Sequence, residues 1–190
     1  AGEQGCNLSD NHYGDFATFL TTTTKHFIDE GYNITLISPV NEPQYDWTNG
    51  QEGSPWTNEC ISRLVRELDA SIAKQGIGSK ILLPEACQWK ALYMDATEKR
   101  ANNQIEAFFN PANTNTYIGD LKSVQRAVAG HSYWTFGTND DLQNIRNAVA
   151  DKAAKYDLDV YQTEWSMLDK EPSTSAGFPA SYDAASYMDI

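Results

Sequence analysis

Two glutamates carry the chemistry this sequence could do. Glu42 lies in Asn41-Glu42-Pro43 and Glu164 in Thr163-Glu164-Trp165, each directly after a short stretch of strand-like residues. A facing pair of carboxylates is what cleavage of a glycosidic bond requires. One protonates the departing oxygen, and the other attacks the anomeric carbon or helps water to do so. Tyr45 and Trp47 follow Glu42 closely, and aromatic surroundings disfavour a charged carboxylate, so Glu42 suits the proton donor. Glu164 suits the ionised partner, kept so by a hydrogen bond from a tyrosine on the neighbouring strand, with Tyr133 as the donor. Taken singly, each acid reads as a turn residue or a solvated strand end, and only the pair makes a catalytic argument.

The acids stand 164 − 42 = 122 positions apart, so a fold must bring them together. Residues 15–30 place Phe16, Phe19, Leu20, Phe27 and Ile28 on one helical stripe that stops at Gly31. Residues 33–40 are short, apolar and rich in β-branched side chains, as a buried parallel strand is. Pro55 opens a second helix through Ile61, Leu64, Val65, Leu68 and Ile72, ended by Gly76. Strands are expected at 80–83, 131–136 and 158–163, and helices at 119–129, through Leu121, Val124 and Val128, and at 140–156. A Ser/Pro/Gly-rich tail reads as a connection.

Alternating helix and strand argues for a parallel sheet built from βα units. No glycine-rich phosphate loop of the form GxGxxG or GxxxxGK[ST] occurs, which weighs against a doubly wound nucleotide-binding sheet and towards a (β/α)8 barrel. A whole barrel needs about 250 residues. The expectation for residues 1–190 is therefore one partial catalytic domain, a barrel section of four strands that is truncated at both ends. All strand C-termini of a barrel meet on one face, so about three βα units between the two glutamates would still seat them in one cleft.

Composition narrows the partners. The 190 residues carry 14 basic and 26 acidic side chains, a net charge of −12, which repels phosphate backbones and anionic lipid surfaces. Apolar runs are far shorter than the ~20 residues of a membrane span. The three cysteines, Cys6, Cys60 and Cys87, include no CxxC pair, and the simplest reading is three free thiols with Cys60 packed in a helix. No metal and no cofactor is expected. Trp47, Trp89 and Trp165 fall in predicted loops at the strand ends, where flat rings suit the C–H faces of sugars, whereas Trp56 and Trp134 read as packing residues. Glu85 takes an equivalent rim position and reads either as a substrate contact or as a loop cap.

The motifs resemble a known family. Ile37-Ser-Pro-Val-Asn41-Glu42-Pro43, His131-Ser-Tyr133-Trp134 and Tyr161-Gln-Thr-Glu164-Trp165-Ser166 look like the fourth-, sixth- and seventh-strand motifs of the large glycosidase clan with (β/α)8 barrels. Their combination is most similar to glycoside hydrolase family 30, and the run from Asn41 to Trp47 to its endo-β-1,6-galactanase-like branch. The resemblance implies strands four to seven of the barrel and a retaining endo-hydrolase of β-linked polysaccharide (galactan, xylan or glucan). It makes Glu42 the acid/base, Glu164 the nucleophile, Asn41 a partner of the sugar 2-hydroxyl, Tyr133 an orienting residue and His131 a lining residue. It also implies secretion and a remainder of the barrel supplied by further chain. The rival expectation is a barrel fragment that binds glycan without cleaving it.

Overall fold

The computed structural model describes residues 6–48, 50–95, 100–135 and 137–165. After a short 3-10 turn, helix α1 (Tyr13–Asp29) leads into strand β1 (Leu36–Ile37), followed by α2 (Asn58–Gln75) and β2 (Lys80–Ala86). Two short helices, α3 (Lys90–Tyr93) and α4 (Gln104–Phe109), precede β3 (Val124–His131), and α5 (Asn139–Ala154) precedes β4 (Asp159–Glu164). The strands form one sheet in the order β1-β2-β3-β4, and every pair is parallel. This is an α/β fold whose strand order never reverses, as in a section of a (β/α)8 barrel and unlike a doubly wound sheet.

The helices form where periodicity and caps agree. In α2 the Thr57 side chain accepts from the Cys60 amide, and Gly76 closes the helix with φ of 66°, the left-handed conformation that glycine adopts at no steric cost. Helix α5 begins with a capping box between Thr138 and Asp141. Ile61, Leu64, Val65, Leu68 and Ile72 from α2 pack with Ile81 and Leu83 of β2 and Val124 and Val128 of β3 in the main core. The other sheet face gathers Leu82, Ala127, Ala129, Leu36 and Tyr161. Both faces of the central strands are thus apolar, which is why they read as continuous hydrophobic runs.

Several expectations are corrected. Residues 124–129 belong to strand β3. The step from Val124 to Val128 satisfies helical spacing, but β-branched residues buried on both faces favour the extended form. The helical layer between β2 and β3 comes from α3 and α4 instead, and β3 ends at His131 rather than running on to residue 136. Strand β1 covers only Leu36–Ile37, and β2 continues to Ala86, which places Glu85 inside a strand rather than after one. The tail beyond Trp165 lies outside the described residues.

The cysteines and tryptophans also differ from expectation. Cys6 and Cys60 form a disulfide with Cα atoms 6.6 Å apart, while Cys87 is free and buried. Cys60 occupies the first turn of α2, where its half-buried side chain meets the chain preceding α1. The cross-link closes a loop over a separation of 54 residues, so reduction is expected to lower stability by about 2–4 kcal/mol. Denaturant unfolding with and without a reductant, against a Cys6→Ser control, measures this; coincident curves would show that the bond constrains nothing. Trp56 packs in the core, as read from the sequence. Trp89 is only 4% exposed, donates from Nε1 to Ser132 Oγ at 2.7 Å and closes over Gly130. It is therefore a packing residue and not a sugar platform. Trp134 is the reverse case, 46% exposed, because φ of 49° turns it out of the strand direction.

Candidate active site

The C-terminal ends of the four strands bring Glu42, Glu85, His131 and Glu164 together. His131 is the last residue of β3 and pairs in register with Glu164, the last residue of β4. Glu42 follows β1 by five residues, in a loop pinned from several sides. Its amide donates to the Glu85 carbonyl at 2.9 Å, and the Trp56 amide donates to the Pro43 carbonyl at 3.0 Å. Gln44, buried, donates from Nε2 to the Ala101 carbonyl and to Gln104 Oε1, and accepts from the Cys87 amide. Glu42 and Glu85 hold positive φ values of 42° and 53°, conformations that persist in non-glycine residues only where surrounding bonds impose them.

His131 is 1% exposed and lies among three carboxylates. Nδ1 stands 2.9 Å from Glu42 Oε1 and 3.9 Å from Glu164 Oε2, and Nε2 stands 3.4 Å from Glu85 Oε2. Burial by itself would lower the imidazole pKa. Hydrogen bonds to Glu42 and Glu85, with the charges of Glu164 and Glu42, outweigh burial and raise it to about 9. At neutral pH the ring is therefore an imidazolium. Glu85 shows the matching shift: burial pushes its pKa up, yet hydrogen bonds from His131, Ser38 and Thr163 pull it below the usual carboxylate value. Ser38 Oγ and Thr163 Oγ1 each donate to it, so Glu85 ties the ends of β1 and β4 to its own strand β2.

Glu42 and Glu164 have different surroundings. Glu42 is 7% exposed and bonded to His131, whereas the Glu164 side chain is 48% exposed. Glu164 lines a cleft of about 390 Å3 together with Asn41, Glu85, His131 and Thr163. Glu42, His131 and Glu164 each present an atom within 4.8 Å of the other two. That spacing would also suit a cation; with the ring protonated, the three form a triad held by hydrogen bonds and charge, in which the Glu164 side chain faces open space. A second cavity of about 530 Å3, lined by Tyr32, Ile34, Lys80 and Gln125, lies at the opposite strand ends and contains no carboxylate. Parallel barrels place their chemistry at the C-terminal ends, where the triad is.

Most of the remaining candidates cluster around the triad. Asn41 is exposed on the cleft wall. Tyr133 sets its ring edge-on to His131, with centroids 6.0 Å apart. Trp47 is half-buried, meets Tyr45 edge-on and presses one face onto Gly53, where any Cβ would fall within 2.0 Å of the ring. Trp165 is half-buried just beyond β4. Glu85 is a buried anchor more than a rim residue. Sequence reasoning missed the supporting pair Gln44 and Gln104. Nothing in their spacing marks them, and only the fold shows that they join the Glu42 loop to α4.

A parallel sheet with carboxylates gathered at its C-terminal ends is the arrangement of a barrel glycosidase. The chain belongs to O-glycosyl hydrolase family 30, whose model matches residues 1–189. It is similar to a conserved exported protein from Bacteroides fragilis, at 30% identity and a TM-score of 0.85 over 95% of this chain and 37% of that one. It shares the fold of an endo-β-1,6-glucanase at 22% identity and a TM-score of 0.55, over 84% of this chain and 31% of that one. The chain thus spans about a third of the length of these solved structures. No curated protein matches it. None of the described helices is long and apolar enough to cross a membrane.

Proposed function

We propose that this chain contributes strands four to seven of the barrel and both catalytic carboxylates of a retaining endo-hydrolase acting on β-linked polysaccharide. The supporting observation is the pair of carboxyl groups whose oxygens approach within 4.8 Å, both beside Nδ1 of one histidine at the strand ends. Retaining glycosidases hold their carboxyl groups about 5–5.5 Å apart, whereas inverting ones leave about 6.5–9.5 Å for a water molecule. The spacing here supports retention.

In this reading a Glu164 oxygen attacks the anomeric carbon while Glu42 gives its proton to the glycosidic oxygen, releasing the leaving sugar as an alcohol. Glu42, now a carboxylate, takes a proton from water. The resulting hydroxide attacks the same carbon and frees Glu164. Exposure suits Glu164 to reach the sugar, and Asn41 on the cleft wall is placed to bond the 2-hydroxyl. His131 holds the carboxylates in position, with Tyr133 against its ring. No cofactor enters either step. The motif after β1 supports a β-1,6-galactan substrate, and the exported relative supports secretion.

Product configuration tests the reading. Proton NMR during hydrolysis of β-1,6-galactan, β-1,6-glucan and xylan by the full-length enzyme should show the β-anomer first on the preferred polymer. Initial appearance of the α-anomer would refute double displacement. Affinity for a polymer without release of reducing sugar would favour a glycan-binding barrel.

A further inference from the structure

A chain of aromatic rings leads away from the triad. From His131 it passes to Tyr133 at 6.0 Å, to Trp134 at 6.1 Å, to Tyr45 at 6.0 Å and to Trp47 at 5.3 Å, measured between ring centroids. Three of these contacts are edge-on, but Trp134 and Tyr45 lie within 28° of parallel. Trp134 leaves much of its surface to solvent, while Trp56 and Trp89 are core residues. The sequence marked Trp134 as a packing residue, and its exposure serves no core.

Both segments carrying this stack are held in place. Ser132, next but one before Trp134, receives the Trp89 Nε1 proton and donates to Gln162 Oε1 at 2.6 Å, and the α5 capping box starts at Thr138. Asp46, beside Tyr45, pairs with Arg100 at 2.5 Å. Exposed rings fixed in advance bind a sugar face without the entropic cost of ordering them. Their place beside the site follows from the backbone, where the Tyr45 amide donates to the Glu42 carbonyl at 3.0 Å. Tyr45 belongs to the loop of Glu42, and a proton donor must reach the glycosidic oxygen, so the sugar next to it is the departing one.

We propose that Trp134 and Tyr45 form the subsite that stacks the leaving-group pyranose, the first sugar on the reducing-end side of the scissile bond. This rests on the assignment of Glu42 as acid/base. Stacking of this kind is worth about ten-fold in binding.

The test compares Trp134→Ala and Trp134→Phe with wild type in the full-length enzyme. An oligosaccharide that fills the subsite is set against an aryl glycoside whose phenolate leaves without it. For Trp134→Ala, kcat/KM on the oligosaccharide should fall at least about ten-fold further than on the aryl glycoside, with transfer to added sugar acceptors reduced in parallel and Phe restoring most of both. Equal losses on the two substrates, or none on either, would overturn the proposal. Calorimetric titration of Glu164→Gln with the oligosaccharide separates this from the parent reading. If wild type cleaves neither substrate, the hydrolase assignment fails. The stacking site then stands if Trp134→Ala weakens that titration and falls if it does not.

Discussion

Replacing Glu164 with Gln should cut turnover of the preferred polysaccharide by about a thousand-fold or more, the scale on which a positioned nucleophile or proton-transfer group acts. The amide is nearly isosteric and cannot form the glycosyl ester. Because the Glu164 side chain is half exposed and 3.9 Å from His131, its loss leaves no buried charge without compensation, so the fold should survive. The control is Glu42→Ala. It should show a comparable loss on polysaccharide but a much smaller loss in the first step with a dinitrophenyl glycoside, whose leaving group needs no proton, and azide should restore turnover as the β-glycosyl azide. Steady-state kinetics with both substrate types checks this. Normal turnover by either variant, with native circular dichroism, would remove the catalytic assignment.

How far the sequence showed this site depends on the kind of signal. The glutamates were legible because each follows a short strand-like stretch and sits beside aromatic residues; Glu164 ends β4, whereas Glu42 lies in the loop after β1, and the fold brings both to one end of the sheet. Helices α1, α2 and α5 were legible because apolar periodicity and caps agree. Residues 119–129 misled because Val124 and Val128 suit either geometry, and only burial on both faces decides. The partners of the glutamates were less legible. The sequence pointed to aromatic crowding at Glu42, whereas the structure surrounds it with His131 and a backbone bond to Glu85. Contacts of that kind cross three strands, so no local pattern encodes them. The two tryptophans exchanged roles for a similar reason. Gly130 makes the space that buries Trp89, and a positive φ turns Trp134 outward; neither is visible in residue type.

Removing the imidazole should be the most destabilising single change at the site. His131→Ala would leave Glu85, buried and held as a carboxylate, without the cation that faces it, and breaking a buried ion pair from one side costs about 3–5 kcal/mol. A second consequence separates charge from packing. Because the folded pKa of His131, about 9, lies above its ordinary 6.5, protonation contributes stability that is fully present below pH 6.5. That contribution is lost as the pH rises through about 9. Wild-type stability from urea unfolding should therefore decline between pH 6.5 and 9, while the curve for His131→Gln, which keeps a hydrogen-bonding side chain but no titrating ring, should be flatter over the same range. Glu85→Gln should shift the wild-type decline to lower pH, since one of the carboxylates that holds the proton on His131 is gone. Parallel pH profiles for all three proteins would mean that His131 is neutral in the native state, and the ion-paired triad would have to be redrawn as a neutral hydrogen-bond network.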